Sequence, residues 1–121
     1  MDRQKFLTAL DVASPKIDID SIKKTVADCV DSCFAAEPQY PRGYRNLIIA
    51  AEELSELGQQ TCKILRGTGD KTALIEELAD VWVSCLYIRE ASNISDEELN
   101  KAINVKIQRV KDKITADGWY Q

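Results

Sequence analysis

From Asp20 onward the apolar residues of this chain recur every three or four positions, in stretches separated by segments rich in helix breakers. That spacing is the period of an amphipathic helix, and no segment shows the strict alternation of a half-buried strand. In the first stretch Ile22, Val26, Cys29, Cys33 and Phe34 share a face, with Asp18, Asp20 or Ser21 placed to cap its start. The segment Glu37-Pro38-Gln39-Tyr40-Pro41-Arg42-Gly43 cannot continue a helix and reads as a loop. A long second helix fits Tyr44 to Arg66, with Leu47, Ala50, Ala51, Leu54, Leu57, Ile64 and Leu65 at its apolar positions. It stops at Gly67-Thr68-Gly69.

Asp70 or Thr72 can cap a third helix running to about Ala91. Its apolar arc, which includes Leu74, Leu78, Trp82, Val83 and Leu86, is wide enough to predict burial on more than one side. Ser95 and Glu98 form a capping box for a fourth helix, on which Leu99, Ile103, Ile107, Val110 and Ile114 make an apolar row. A short helix over Arg3–Leu10 would precede these. The expectation is one all-α domain over residues 1–121, a four- to five-helix bundle with residues 1–18 as a weakly defined N-terminal segment.

Three absences narrow the chemistry. There is no histidine, which removes Ser-His-Asp and Cys-His triads and His-ligated zinc. Neither GxGxxG nor GxxxxGK[ST] occurs. The four cysteines (Cys29, Cys33, Cys62, Cys85) show no CxxC pairing and read as reduced packing residues. A net charge of −4 disfavours nucleic acid or an anionic membrane as partner. No apolar run approaches the ~20 residues of a membrane span, and no signal-peptide pattern is present. The expected location is the cytoplasm.

What remains is a pattern of acids. The second helix carries Glu52-Glu53-Leu54-Ser55-Glu56 and the third carries Glu77-Leu78-Ala79-Asp80. Glu53, Glu56, Gln60 and Lys63 are spaced 3, 4 and 3, as are Glu77, Asp80, Ser84 and Tyr87, so each helix bears one polar row. The turn between the helices is about five residues, which makes them antiparallel neighbours. At ~1.5 Å rise per residue, Glu56 stands about 15 Å from that turn and Asp80 about 12 Å. Glu77 lies nearer the turn and Glu53 farther. If the rows face each other, four carboxylates converge, and such a group needs protons or cations. Hard oxygen donors suit Mg²⁺ or Mn²⁺.

A lone ExxE is most often a solvated face, but here two pairs sit at matching depth, and no lysine follows Glu77 or Asp80 at the salt-bridging distance of four residues. On the fourth helix Lys106, Arg109 and Lys113 form a basic row with Asn104 just upstream; Lys113 reads as a solvated, snorkelling lysine. Acid-bound metal ions with nearby cations make an environment for phosphate.

The spacing Glu52-Glu53-x-x-Glu56, twenty residues, Glu77-x-x-Asp80 resembles the EExxE…ExxD signature of the MazG-like, all-α nucleoside triphosphate pyrophosphohydrolases. The resemblance covers roughly Asn46 to Ile114 and extends to Lys63 and Asn104-x-Lys106-x-x-Arg109. It implies hydrolysis of a (deoxy)nucleoside triphosphate to the monophosphate and pyrophosphate, and homodimers or homotetramers. By the same likeness Glu53, Glu56, Glu77 and Asp80 would hold Mg²⁺, with Glu52 orienting a ligand or a bound water. With no histidine, Glu53 or Glu56 would accept the water's proton. Lys63, Lys106 and Arg109 would hold phosphate oxygens, and Asn104 sugar or phosphate. Tyr87 is balanced between stacking on a base and packing, whereas Trp82 reads as core and Trp119 and Tyr120 stand in a tail.

Rival readings are a phosphoribosyl-ATP pyrophosphohydrolase, in which a histidine is expected soon after ExxD, and a di-iron bundle, which needs Glu-x-x-His. A catalytically silent metal- or partner-binding helical module is the rival from another class.

Overall fold

The computed structural model describes residues 17–117, and the expectations for Arg3–Leu10, Trp119 and Tyr120 lie outside them. The described residues form four helices and no strand: α1 (Ile19–Ala36), α2 (Tyr44–Leu65), α3 (Lys71–Ala91) and α4 (Asp96–Asp117). None is long and apolar enough to cross a membrane.

Local chemistry sets most of the boundaries. Asp18 caps α1 by accepting from the Ser21 N–H at 3.1 Å, and Asp70 caps α3 by accepting from Thr72 N–H at 3.2 Å. At α4 the capping box is reciprocal: Glu98 N–H donates to Ser95 Oγ at 3.1 Å, and Ser95 N–H donates to Glu98 Oε2 at 2.9 Å. Helix α2 ends on Gly67 in the left-handed region (φ 75°), where the Gly67 and Thr68 N–H groups close onto Ile64 and Lys63 carbonyls.

Helix α3 is the centre of the packing. It lies along α2, to which the five-residue connection 66–70 ties it antiparallel, and α1 packs on it from another side. The loop from α1 to α2 closes on the far end of α3. Gly43 (φ 85°) sits so near that a Cβ there would stand 2.3 Å from Ala91 Cβ. Arg42 fastens the same corner, donating to Asp31 on α1 at 3.0 Å and to the Glu90 carboxylate and carbonyl on α3 at 2.7 and 3.2 Å. Asp96 joins the start of α4 to Lys23 on α1 and Arg89 on α3.

The buried core is small: Val26 and Val30 of α1 with Ala50 of α2. Val30, absent from the apolar face read from sequence, is the most completely covered. On α2 the expected apolar residues Leu47, Ala51, Leu54, Ile64 and Leu65 are exposed. Trp82, read as core, is 42% exposed. Cys29 and Cys33 are half-buried and Cys62 and Cys85 exposed, all four free thiols, so only the first two act in packing. Helix α4 does not close a bundle within the chain. All its side chains from Asp96 to Ala116 are exposed, including the row Leu99, Ile103, Ile107, Val110 and Ile114 at 38–51%.

Candidate metal centre

The two acidic rows face each other across the α2–α3 pair. Carboxylate oxygens of Glu53, Glu56 and Glu77, one from each residue, lie within 4.8 Å of one another. Asp80 is not among these three, but it interacts with Glu53 from the α3 side. The contacts follow depth from the 66–70 turn: Glu77 is set chiefly against Glu56, and Glu53 chiefly against Asp80. This is the register that a short antiparallel turn imposes on two rows of period three and four.

The electrostatics are those of like charges held close together. Burial among the helices pushes the Glu53 carboxyl above the usual range, and the charges of Asp80, Glu56 and Glu77 push it further. Glu77 is raised in the same way, first by burial and then by Glu56 and Asp80. One oxygen of each, Glu53 Oε2 and Glu77 Oε2, is shielded from solvent and has no hydrogen-bond partner. Hard, convergent, unpartnered carboxylate oxygens fit a divalent ion such as Mg²⁺.

A cavity of about 280 Å³ opens beside the cluster, between α1, α2 and α3. Glu53 and Asp80 line it together with Tyr87 and Ser84, so the polar row of α3 runs from the acids into the cavity. The Tyr87 phenol is pushed up to about 12, first by its hydrogen bond with the Cys29 thiol and then by burial.

Other expected site residues are not gathered here. Glu52 is exposed and lines a separate groove with Glu37, Tyr40 and Arg45. Lys63 lines a surface groove with Ser55, Gln59 and Arg66 that excludes the acidic cluster. Asn104, Lys106 and Arg109 stand exposed on α4, and among the described residues no ion pair joins Lys106 or Arg109 to an acid.

Asn46 was missed as a site residue. It is 5% exposed, lines the same cavity, and its Oδ1 has no partner. The available signal was its spacing: Asn46, Ala50 and Glu53 follow at 4 and 3, on the face of α2 that carries the acids. Comparison with protein-family models, with curated proteins and with solved structures gave no match.

Proposed function

We propose that this chain is a Mg²⁺-dependent (deoxy)nucleoside triphosphate pyrophosphohydrolase of the MazG-like type, releasing the monophosphate and pyrophosphate. The observation that carries the reading is the convergence of Glu53, Glu56 and Glu77, with Asp80 beside them, on a face where two carboxylate oxygens lack partners. These four residues would hold the metal; Mn²⁺ has a similar preference for oxygen donors. When bound, the ion neutralises phosphate charge and lowers the pKa of a bound water.

The chain's own residues supply the rest. Glu53 or Glu56 takes the proton of the attacking water on a carboxylate oxygen, a role that falls to a carboxylate at this cluster because the chain has no histidine. The cavity beside the cluster accepts the nucleoside end, so that the triphosphate extends over the acids. Lys106 and Arg109 hold phosphate oxygens, and these come from a second copy. Lys106 stands beside the exposed apolar row of α4 and Arg109 farther round the same side, so a second copy docked on that row would meet these cations at its edge. A homodimer or homotetramer completes the bundle and the site together. Nucleotide pool cleaning in the cytoplasm is the corresponding role.

The test is pyrophosphate release from a panel of ribo- and deoxyribonucleoside triphosphates with Mg²⁺, beside Glu53→Gln and Asp80→Asn. Turnover by the unsubstituted protein and its loss in both variants supports the reading. The exposure of α4 favours one other reading, a silent module that binds metal and a partner. Mg²⁺ binding without release from any nucleotide selects that alternative.

A further inference from the structure

We propose that Cys29 and Cys33 of α1 form a binding site for one soft, thiophilic cation, Cu⁺, held between their two sulfurs. The site is separate from the acidic cluster and does not depend on the nucleotide reading. The two cysteines stand four residues apart, hence on one face of α1, and both are half-buried free thiols that line the cavity between α1, α2 and α3. Tyr87, reaching them from α3, is hydrogen-bonded to Cys29 and lies within electrostatic reach of Cys33. Asn46 meets the same sulfur from α2, its Nδ2 standing 4.0 Å from Cys29 Sγ. This amide is 5% exposed and its Oδ1 has no partner. A neutral thiol is a weak acceptor, so a buried amide whose N–H ends on one is poorly matched. A metal-bound sulfur carries thiolate charge, and hydrogen bonds to a charged acceptor are roughly twice as strong. Donors around a ligand atom are also what hold a metal-binding side chain in place.

Spacing and softness select the ion. Side chains four apart on a helix have Cβ atoms about 5–6 Å apart, whereas a disulfide needs about 3.5–4.5 Å. The pair therefore does not close on itself while α1 stays helical. A metal–sulfur bond is about 2.3 Å, so one ion in line between two sulfurs spans about 4.6 Å, which the spacing on α1 provides. Zn²⁺ asks for four ligands. Among the described residues the only set of three or more thiol and carboxylate ligands gathered together is Glu53, Glu56 and Glu77, with no cysteine in it. Cu⁺ favours soft thiolates and is satisfied by two of them. Its binding sends the two thiol protons to solvent and transfers no electron.

The experiment is anaerobic titration of Cu⁺ into the full chain in competition with a colorimetric Cu⁺ chelator, with X-ray absorption spectra of the loaded protein. One equivalent is expected to be withdrawn from the chelator, with two sulfur neighbours at the ion. Cys29→Ser and Cys33→Ser are each expected to weaken binding by at least about a hundredfold, beyond the roughly 10–100-fold that loss of an outer partner costs. The double variant Cys62→Ser/Cys85→Ser removes the two exposed thiols and is expected to bind as the unsubstituted chain does. Excess Mg²⁺ is expected to leave Cu⁺ in place, because the hard ion prefers the carboxylates. If one serine variant does not fold, the other and the sulfur count of the unsubstituted chain decide. No competition with the chelator, oxygen or nitrogen neighbours alone, displacement by Mg²⁺, full binding in a folded Cys29→Ser or Cys33→Ser chain, or its disappearance with Cys62 and Cys85 overturns the proposal.

Discussion

If the proposed homo-oligomer forms through α4, replacing Ile107 by Asp is expected to split it while leaving the fold of the single chain intact. Ile107 lies at the middle of the apolar row of α4, among five side chains that are 38–51% exposed in one chain. Burying a Leu, Ile or Val side chain completely is worth about 1.5–3 kcal/mol, so covering what remains open gives about 1 kcal/mol each and about 5 kcal/mol per copy. A two-fold pair gathers that contribution twice, against an association cost of about 4–15 kcal/mol, which places the assembly where one side chain decides its fate. The aspartate removes the apolar contribution of Ile107 in both copies and adds two buried carboxylates, a loss of at least about 3 kcal/mol, or more than about a hundredfold in dissociation constant. Sedimentation analysis reads the mass, and far-UV circular dichroism confirms that the helices persist. Because Lys106 and Arg109 lie on one side of the same row, the separated chain is also expected to lose triphosphate hydrolysis while still binding Mg²⁺. An unsubstituted protein that sediments at 13.6 kDa at its highest soluble concentration, or an Ile107→Asp chain with full hydrolysis, refutes this reasoning.

Three other substitutions probe the fold and the cluster. Gly43→Ala puts a Cβ 2.3 Å from that of Ala91 at φ 85°, and urea unfolding is expected to show a loss of about 2–4 kcal/mol, part of it restored by Ala91→Gly. Val30→Ala removes two carbons from the best-covered side chain, and the same assay is expected to report a loss of about 2 kcal/mol, the transfer of those groups plus a small cavity. Glu53 and Glu77 carry raised values in the folded chain, so the folded state holds their protons more tightly than the unfolded state does. Their repulsion therefore weakens the metal-free fold above that raised range and fades as the pH falls through it. Glu77→Gln is then expected to raise the metal-free melting temperature by a few degrees at neutral pH and hardly at all in mild acid, read by thermal scanning at the two pH values.

What could be read from the chain alone follows the range of the forces involved. Caps act within three residues: the Ser95–Glu98 box forms as its spacing implies, and the structure selects Asp18 and Asp70 from the candidates that the sequence left open at the other two starts. The meeting of Glu53, Glu56 and Glu77 was also legible, because a five-residue turn leaves two long helices one arrangement and fixes their relative depth. The exposure of Trp82 and of the α4 row was not legible. An apolar period says that a face is to be covered, but not whether the cover belongs to the same chain. Lys106 and Arg109 could not be placed for the same reason. Asn46 escaped because one polar residue in an amphipathic helix changes the period little; its meaning lies in the missing partner, which only the packing reveals.

The central claim is that Glu53, Glu56, Glu77 and Asp80 form one divalent-metal site, and titration of Mn²⁺ followed by electron paramagnetic resonance tests it most directly. The expected result is saturable binding to the unsubstituted chain, displacement by Mg²⁺, and a weakening of at least about tenfold, the effect of one lost charged ligand, in Glu53→Gln and in Glu77→Gln. Binding that is equally tight in both variants, or no saturable binding to the unsubstituted chain, contradicts it.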